Sequence, residues 1–450
     1  MTSAAQPTAR FLQGSILSHV IIMTLTGALG LMAVFMVDLA DLYYLSLLND
    51  TSITAAIGFA GTLSFANLSL SIGTGIAATV LVARNLGARQ PERARHFATS
   101  ALVLSTAISL AYTLLIGLFL GPILNLMGAT GEAAHEAKIF IWTLTPGFVF
   151  LAAALSCSFS MRGLGDARRA MYITLSAAIT TLVLDPIFIF KFGWGIQGSA
   201  IANAISDIIA FVIGFHGLAR VHKFLVPITW QGLKNDFQPI WAIAFPSILT
   251  QLATPFAAAY TTYVIAPFGN DVVTASTIIG RLVPVAFGVI FSLSGSVGPI
   301  IGQNFGAKNF GRVRSTLSNG LLFAFFYTLV TSLILYLLRQ PIVNAFHASG
   351  RTAELVIFFT TFIAISWAFA GAQFVASAAF NNLGRPGLST WTNWAKATIG
   401  TIPFALIGAG AWGPEGVMVG TAIGAIVFGI ISAWMAFDLA KKIELKNAIA

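Results

Sequence analysis

The chain has 450 residues, of which 57% are hydrophobic and only 9% charged. Soluble domains carry roughly 25% charged residues, so a water-facing surface is excluded, and apolar runs of roughly 20 residues or more are long enough to cross a bilayer. The net charge of +9 does not point to nucleic acid, because the cations sit in short loops between apolar runs, where the orientation of membrane proteins places them.

The apolar pattern predicts twelve spans, at roughly 15–48, 52–82, 92–120, 133–161, 169–190, 197–219, 237–267, 271–301, 311–338, 352–381, 387–409 and 415–438. The first follows Arg10 and runs too far for a cleaved signal peptide, so it reads as retained. The second ends in Arg84-Asn85-Leu86-Gly87-Ala88-Arg89, and the eighth in Gln303-Asn304-Phe305-Gly306-Ala307-Lys308. The two stretches are offset by 219 residues (304 − 85). Gly87 and Gly306 are expected as helix C-caps, and Glu92 in the first turn of the next helix, near its positive end. The same offset carries Gly163-Leu164-Gly165 onto Asn382-Leu383-Gly384, and with a one-residue gap Phe192-Gly193-Trp194-Gly195 falls on Gly410-Ala411-Trp412-Gly413. The chain therefore reads as a unit of about 220 residues used twice.

The loops then sort by side. Eighteen Lys and Arg fall on one side and four on the other, with Arg281 and Lys396 inside spans. This split puts both termini in the cytoplasm. Six spans per repeat is an even number, so both halves cross in the same direction. The expected fold is an all-α membrane protein of twelve transmembrane helices in two parallel six-helix repeats. Its expected parts are a lobe at 1–219, a polar cytoplasmic linker at 220–236 and a second lobe at 237–450, with a substrate path between lobes near mid-depth.

Fifteen residues are acidic, and four of them stand deep in spans: Asp38, Asp41, Asp185 and Asp207. All four belong to the first repeat; Asp41, Asp185 and Asp207 fall on uncharged residues in the second. A carboxylate in hydrocarbon costs a few kcal/mol, so it normally faces a cavity or a partner and is functional. Asp38 and Asp41 share a helical face, and Thr181 and Asn203 stand one turn before Asp185 and Asp207. Such a cluster can bind and release a proton, since neighbouring carboxylates resist being ionised together. Alternatively it offers Na⁺ several oxygens, the only metal role expected. Arg281 and Lys396 suit either a counter-charge or a contact for an anionic group.

Tyr43, Tyr44, Phe256, Tyr260, Tyr263 and Trp391 lie on spans that can line a cleft, and an aromatic cleft suits flat, amphipathic, often cationic molecules. Cys157 reads as a buried bystander thiol, and His19, His216 and His222 show no metal-ligand spacing. Pro186, directly after Asp185, is expected to loosen its helix. Gly-Gln-Asn-Phe-Gly-Ala-Lys lacks the spacing and the Ser/Thr of a phosphate-binding loop, and no nucleophile arrangement stands out. The expectation is a transporter without cofactor, not an enzyme, driven by an ion gradient or by the substrate's own gradient.

The paired loops, Asp41-Leu42-Tyr43-Tyr44-Leu45-Ser46 in the first span and Arg162-Gly163-Leu164-Gly165-Asp166-Ala167 before the fifth together resemble the multidrug and toxic compound extrusion (MATE) family over essentially the whole chain. The resemblance implies a V-shaped two-lobe bundle, a lone chain in the cytoplasmic membrane, exporting varied drug-like small molecules in exchange for H⁺ or Na⁺. It assigns the family's first-span acid to Asp41, with Asp38 the second choice, and its fifth-span acid to Asp185. Thr181 and Asn203 stand where the family carries polar partners of that second acid. One subgroup also uses acids in spans seven and ten; this chain has none deep there, and Glu354 sits near the outer end of span ten. The alternatives carried forward are a lipid-linked precursor flippase of the same wider superfamily and a membrane-embedded enzyme.

Overall fold

The computed structural model describes residues 9–47 and 51–449; residues 48–50, between the first two predicted spans, lie outside the description. Among the described residues every regular element is helical: α1 (Ile16–Ser46), α2 (Thr51–Gly87), α3 (Pro91–Leu126), α4 (Gly131–Leu164), α5 (Ala167–Pro186), α6 (Gly195–His216), α7 (Trp230–Ile265), α8 (Asn270–Gly306), α9 (Phe310–Leu337), α10 (Arg339–Ala345), α11 (Gly350–Phe358), α12 (Trp367–Asn382), α13 (Pro386–Ala397) and α14 (Ile402–Ile449). Turns of π-helix extend α5, α6 and α11, at Ile187–Lys191, Gly217–Val221 and Phe359–Ile363.

Eleven stretches of the described residues are long and apolar enough to cross a membrane. The last, Pro386–Ala448, has 63 residues. As one helix it would reach about 95 Å, three times the hydrocarbon thickness. It reverses instead. Trp412 and Gly413 leave the helical conformation, Gly413 at φ 61°, and Pro414 follows. Glycine takes that positive φ without strain. About this point Gly408 lies against Gly416, Phe404 against Gly420 and Gly400 against Gly424, pairs all centred on residue 412. α14 is thus a hairpin of two antiparallel segments, whose backbones touch because neither Gly408 nor Gly416 carries a side chain. The twelve predicted spans are all present.

The repeat is also visible in the main chain. At the end of α2 the Arg89 N–H donates to Leu86 O (3.0 Å) and the Gln90 N–H to Asn85 O (2.8 Å). At the end of α8 Lys308 donates to Phe305 O (2.9 Å) and Asn309 to Asn304 O (2.8 Å). Arg89 and Lys308 both take φ 58°. This corrects the expected caps. Gly87 and Gly306 are the last helical residues, and the bond that closes over six residues forces the positive φ onto the cation two places later.

Contacts divide the chain into two units: Leu29–Ile248, and Arg10–Ala28 with the residues from Leu249 onward. The boundary differs from the expected linker at 220–236. α7 already begins at Trp230, and its first half packs Ile240, Ile243 and Ala244 with Ala77, Val80 and Leu81 of α2 and Phe97 and Ala101 of α3. The segment before it is fixed to the first unit as well: Phe224 is fully buried, and the Val226 N–H donates to Thr99 Oγ1 (3.1 Å). Conversely, the first half of α1 belongs to the second unit. Gln303 Oε1 accepts from the Phe11 N–H (3.0 Å), Asn304 Nδ2 donates to Phe11 O (3.1 Å), and Arg312 donates to the carbonyls of Phe11, Gln13 and Gly14. The two cut points are 220 residues apart (248 − 28), so the exchange of helix starts follows the repeat.

Candidate cation-binding site

The site begins with a close approach in the first unit. A Cβ on Gly30 of α1 would collide with Thr174 Oγ1 of α5, so the two helices can touch only because residue 30 is glycine. Asp41 lies eleven residues beyond Gly30 (41 − 30) and Asp185 eleven beyond Thr174 (185 − 174). Eleven helical residues rise about 16 Å in each helix. The two carboxyl groups therefore reach the same level, within hydrogen-bonding reach of each other.

Their surroundings differ. Asp41 is half-buried and its Oδ1 accepts from Ser199 Oγ of α6 (2.7 Å). Asn203, one turn on, donates from Nδ2 to Ser199 O (3.0 Å) and lies 3.4 Å from its Oγ, which fixes that hydroxyl. Asp185 is fully buried, and neither of its oxygens receives a hydrogen bond from an N–H or O–H of the described residues. An unsatisfied buried carboxylate is costly. Directly after Asp185, Pro186 removes an N–H from the helix and a π turn begins, closed by Phe192 N–H to Ile187 O (3.0 Å). Such turns recur at functional sites because they free backbone groups.

The other predicted acids form no hydrogen bond with this pair among the described residues. Asp38 is exposed, one turn before Asp41. Asp207 faces α4, where its Oδ2 would lie 3.0 Å from a Cβ on Gly147. The two carboxyl groups in mutual contact are thus those of Asp41 and Asp185. Thr181 is buried, but its hydroxyl donates to Ser206 Oγ (2.7 Å), which in turn donates to Ala202 O. Ser199 and Ser206 were missed in the sequence; the four-residue spacing Ser199-Asn203-Asp207 was the available signal.

Among the predicted aromatics of this unit, Tyr44 meets Phe190 of the π turn edge-on, centroids 6.2 Å apart, and Tyr43 is exposed. In the second unit Phe256 lies 5.4 Å from Trp394, whose Nε1 donates to Leu249 O (2.9 Å). Tyr260 lies 6.3 Å from Tyr263, while Tyr263 and Trp391 are largely exposed. Arg281 is exposed at a hollow of about 270 Å³ that it lines with Thr274, Thr277, Ile278 and Phe346. Lys396 is half-buried at the end of α13. Among the described residues no group of three or more His, Cys, Asp or Glu is arranged to hold a metal.

Two further acids outside the predicted set are engaged. Asp166, between α4 and α5, caps α5 through the Arg169 N–H (3.2 Å) and binds the Arg169 guanidinium (2.5 Å) and His222 Nε2 (3.0 Å). Burial alone would raise its pKa, but the hydrogen bonds from His222 and Arg169 together with the Arg169 charge outweigh it and hold the carboxyl below its ordinary value. Asp236, assigned by sequence to the linker, stands inside α7 and accepts from Ser100 Oγ (2.5 Å).

The MatE family profile matches the chain twice, over residues 27–187 and 246–407, a spacing that reproduces the internal repeat. A FAD transporter of Shewanella oneidensis is 26% identical over 435 residues, covering 95% of each chain. The multidrug export protein MepA of Staphylococcus haemolyticus is 23% identical over 448 residues, covering 97% of each. Among solved structures, a multidrug resistance MATE family transporter in an outward-facing conformation superposes with a TM-score of 0.91 at 22% identity, covering 98% of this chain and 99% of that one. The Vibrio cholerae MATE transporter VcmN in its bent form gives 0.89 at 23%, covering 95% and 98%. These two structures share the fold.

Proposed function

Since this chain belongs to the MatE family, we propose that it exports small amphipathic organic molecules across the cytoplasmic membrane, with both termini in the cytoplasm, in exchange for H⁺ or Na⁺ bound between Asp41 and Asp185. The observation that carries this reading is the contact of those two carboxyl groups, one of them fully buried without a donor. A proton shared across the pair, or a Na⁺ coordinated by both with Ser199 and freed backbone carbonyls, satisfies it. Either occupant removes net negative charge from the junction of α1, α5 and α6.

Charge at that junction sets the packing of three helices, so the bound and empty states favour different conformations. Coupling follows by linkage: a conformation that binds the cation better must bind substrate worse, and the two effects are equal in free energy. The cargoes of the relatives support organic molecules as substrates, FAD for one and multiple drugs for the other. The reading is tested by expressing Asp41→Asn and Asp185→Asn chains in a drug-sensitive host. Both variants should accumulate a fluorescent dye as the untransformed host does. Export at the wild-type rate by both would refute the coupling role.

A further inference from the structure

The interior of the second unit has the opposite electrostatic character to the first. Its acids, Asp271, Glu354, Glu415, Asp438 and Glu444, all stand at span ends. Its deep charge on the α12–α13 helix pair is Lys396, half-buried and in no ion pair with a described residue.

Lys396 ends a buried polar seam. Gln373, Ser377 and Asn381 recur every four residues along α12, and Ser389 and Asn393 along α13, so each set forms one helical face. The faces meet where Asn393 Nδ2 donates to Ser377 Oγ (3.1 Å). α12 and α13 are joined by a short turn and run antiparallel. One turn down α12 from that bond is therefore Gln373, and one turn up α13 is Lys396. Gln373 is only 2% exposed, and both its amide nitrogen and oxygen lack a hydrogen-bond partner. Ser389 Oγ is buried and likewise unpaired. Just past Lys396 the helix breaks: Thr398 departs to φ −103° and ψ −76°, and Thr401 Oγ1 donates back to Lys396 O (2.9 Å). Broken backbone at membrane depth is tolerated where it is enclosed by protein or lines a cavity, and transporters use such breaks to hold ligands.

The fold itself does not require these groups. At the repeat offset the first unit packs the same pair of helices, α4 and α5, with Ala154 in place of Gln373 and alanine (Ala177 or Ala178) in place of Lys396. An unpaired amide and an unpaired ammonium one turn from the same hydrogen bond offer donors to an anion.

We propose that this seam, Gln373, Ser377, Ser389 and Asn393 ending on Lys396, binds the acidic group, a phosphate or carboxylate, of the exported molecule. The inference rests on reading the chain as an exporter, and it moves the substrate class from the cationic compounds expected from aromatic content to flat molecules bearing an acid. The ammonium supplies charge and a donor, and the Gln373 amide a second donor.

The test uses the purified full-length chain and two probes with one ring system: flavin mononucleotide, which carries a phosphate, and riboflavin, which does not. Binding is read by flavin fluorescence. The wild type should prefer the phosphate-bearing probe at least tenfold. Lys396→Ala, which installs the first repeat's residue, should weaken that probe roughly ten- to a hundredfold and leave riboflavin unchanged, as loss of one charge-assisted hydrogen bond does. Lys396→Arg should keep the preference, and Gln373→Ala should reduce it. A wild type without preference, or binding neither probe, overturns the proposal, as does a preference that survives Lys396→Ala. Asp41→Asn and Asp185→Asn separate the two readings, since they should keep the preference while losing cation-driven export. If they still couple, the export mechanism fails and the seam stands.

Discussion

Gly30 and Thr174 touch, and that contact sets Asp41 and Asp185 at one level, because each acid stands eleven residues past it on its own helix (41 − 30 and 185 − 174). The pairing is thus a consequence of helix geometry and of one missing side chain.

Gly30→Ala should separate the helices and reduce coupled export at least tenfold while the protein still elutes as a single folded species. Thr174→Ala removes the hydroxyl that the new Cβ meets, so the double variant should recover most of the activity. Export rates in vesicles across this four-member cycle measure the interaction directly.

Ser199 gives Asp41 its hydroxyl hydrogen bond. Ser199→Ala should change the affinity for the coupling cation by roughly tenfold, equivalent to about 1.5 kcal/mol for a hydrogen bond to a charged group. Ser199→Thr should behave as wild type. The concentration of H⁺ or Na⁺ giving half-maximal export reports both.

Asp166 predicts a pH dependence of stability. Its pKa in the folded chain lies below the ordinary 3.8. The unfolded chain therefore takes up the proton first as pH falls. The stability from Asp166, His222 and Arg169 is fully present above the ordinary value and lost as pH falls below it. Asp166→Asn should lower stability at neutral pH by about 2 kcal/mol, since it removes the charge that the half-buried Arg169 and His222 share and leaves a buried amide in its place. Its melting temperature should converge on that of the wild type as the pH is lowered from 4 downward, and not above it.

The α14 hairpin depends on backbone contact between Gly408 and Gly416. Gly408→Leu or Gly416→Leu forces the two segments apart and should abolish recovery of folded protein. Substitution at Gly410, which meets nothing within 4 Å, should not. Fluorescence-detected size exclusion distinguishes the outcomes.

Much of this was legible in the sequence. Span lengths follow from bilayer thickness, and the Trp412-Gly413-Pro414 reversal falls where the repeat places it. Asp41 and Asp185 stood out because carboxylates in apolar runs are rare. Ser199 and Ser206 did not, since hydroxyls are common in membrane helices and most return a bond to their own helix, as Thr180 does to Ser176 O. Asp207 shares the spacing of the site but faces Gly147, and spacing alone does not say which neighbour a helix face meets. Asp236 was hidden because Lys234-Asn235-Asp236 reads as a polar linker, whereas α7 already encloses it. The exchange of helix starts between units is tertiary and leaves no local mark.

The most direct measurement places the chain in liposomes and follows dye export under a pH gradient alone and a Na⁺ gradient alone, for the wild type, Asp41→Asn and Asp185→Asn. The account predicts that at least one gradient drives export by the wild type and that neither drives it in the two variants. Gradient-driven export by both variants at the wild-type rate would contradict it.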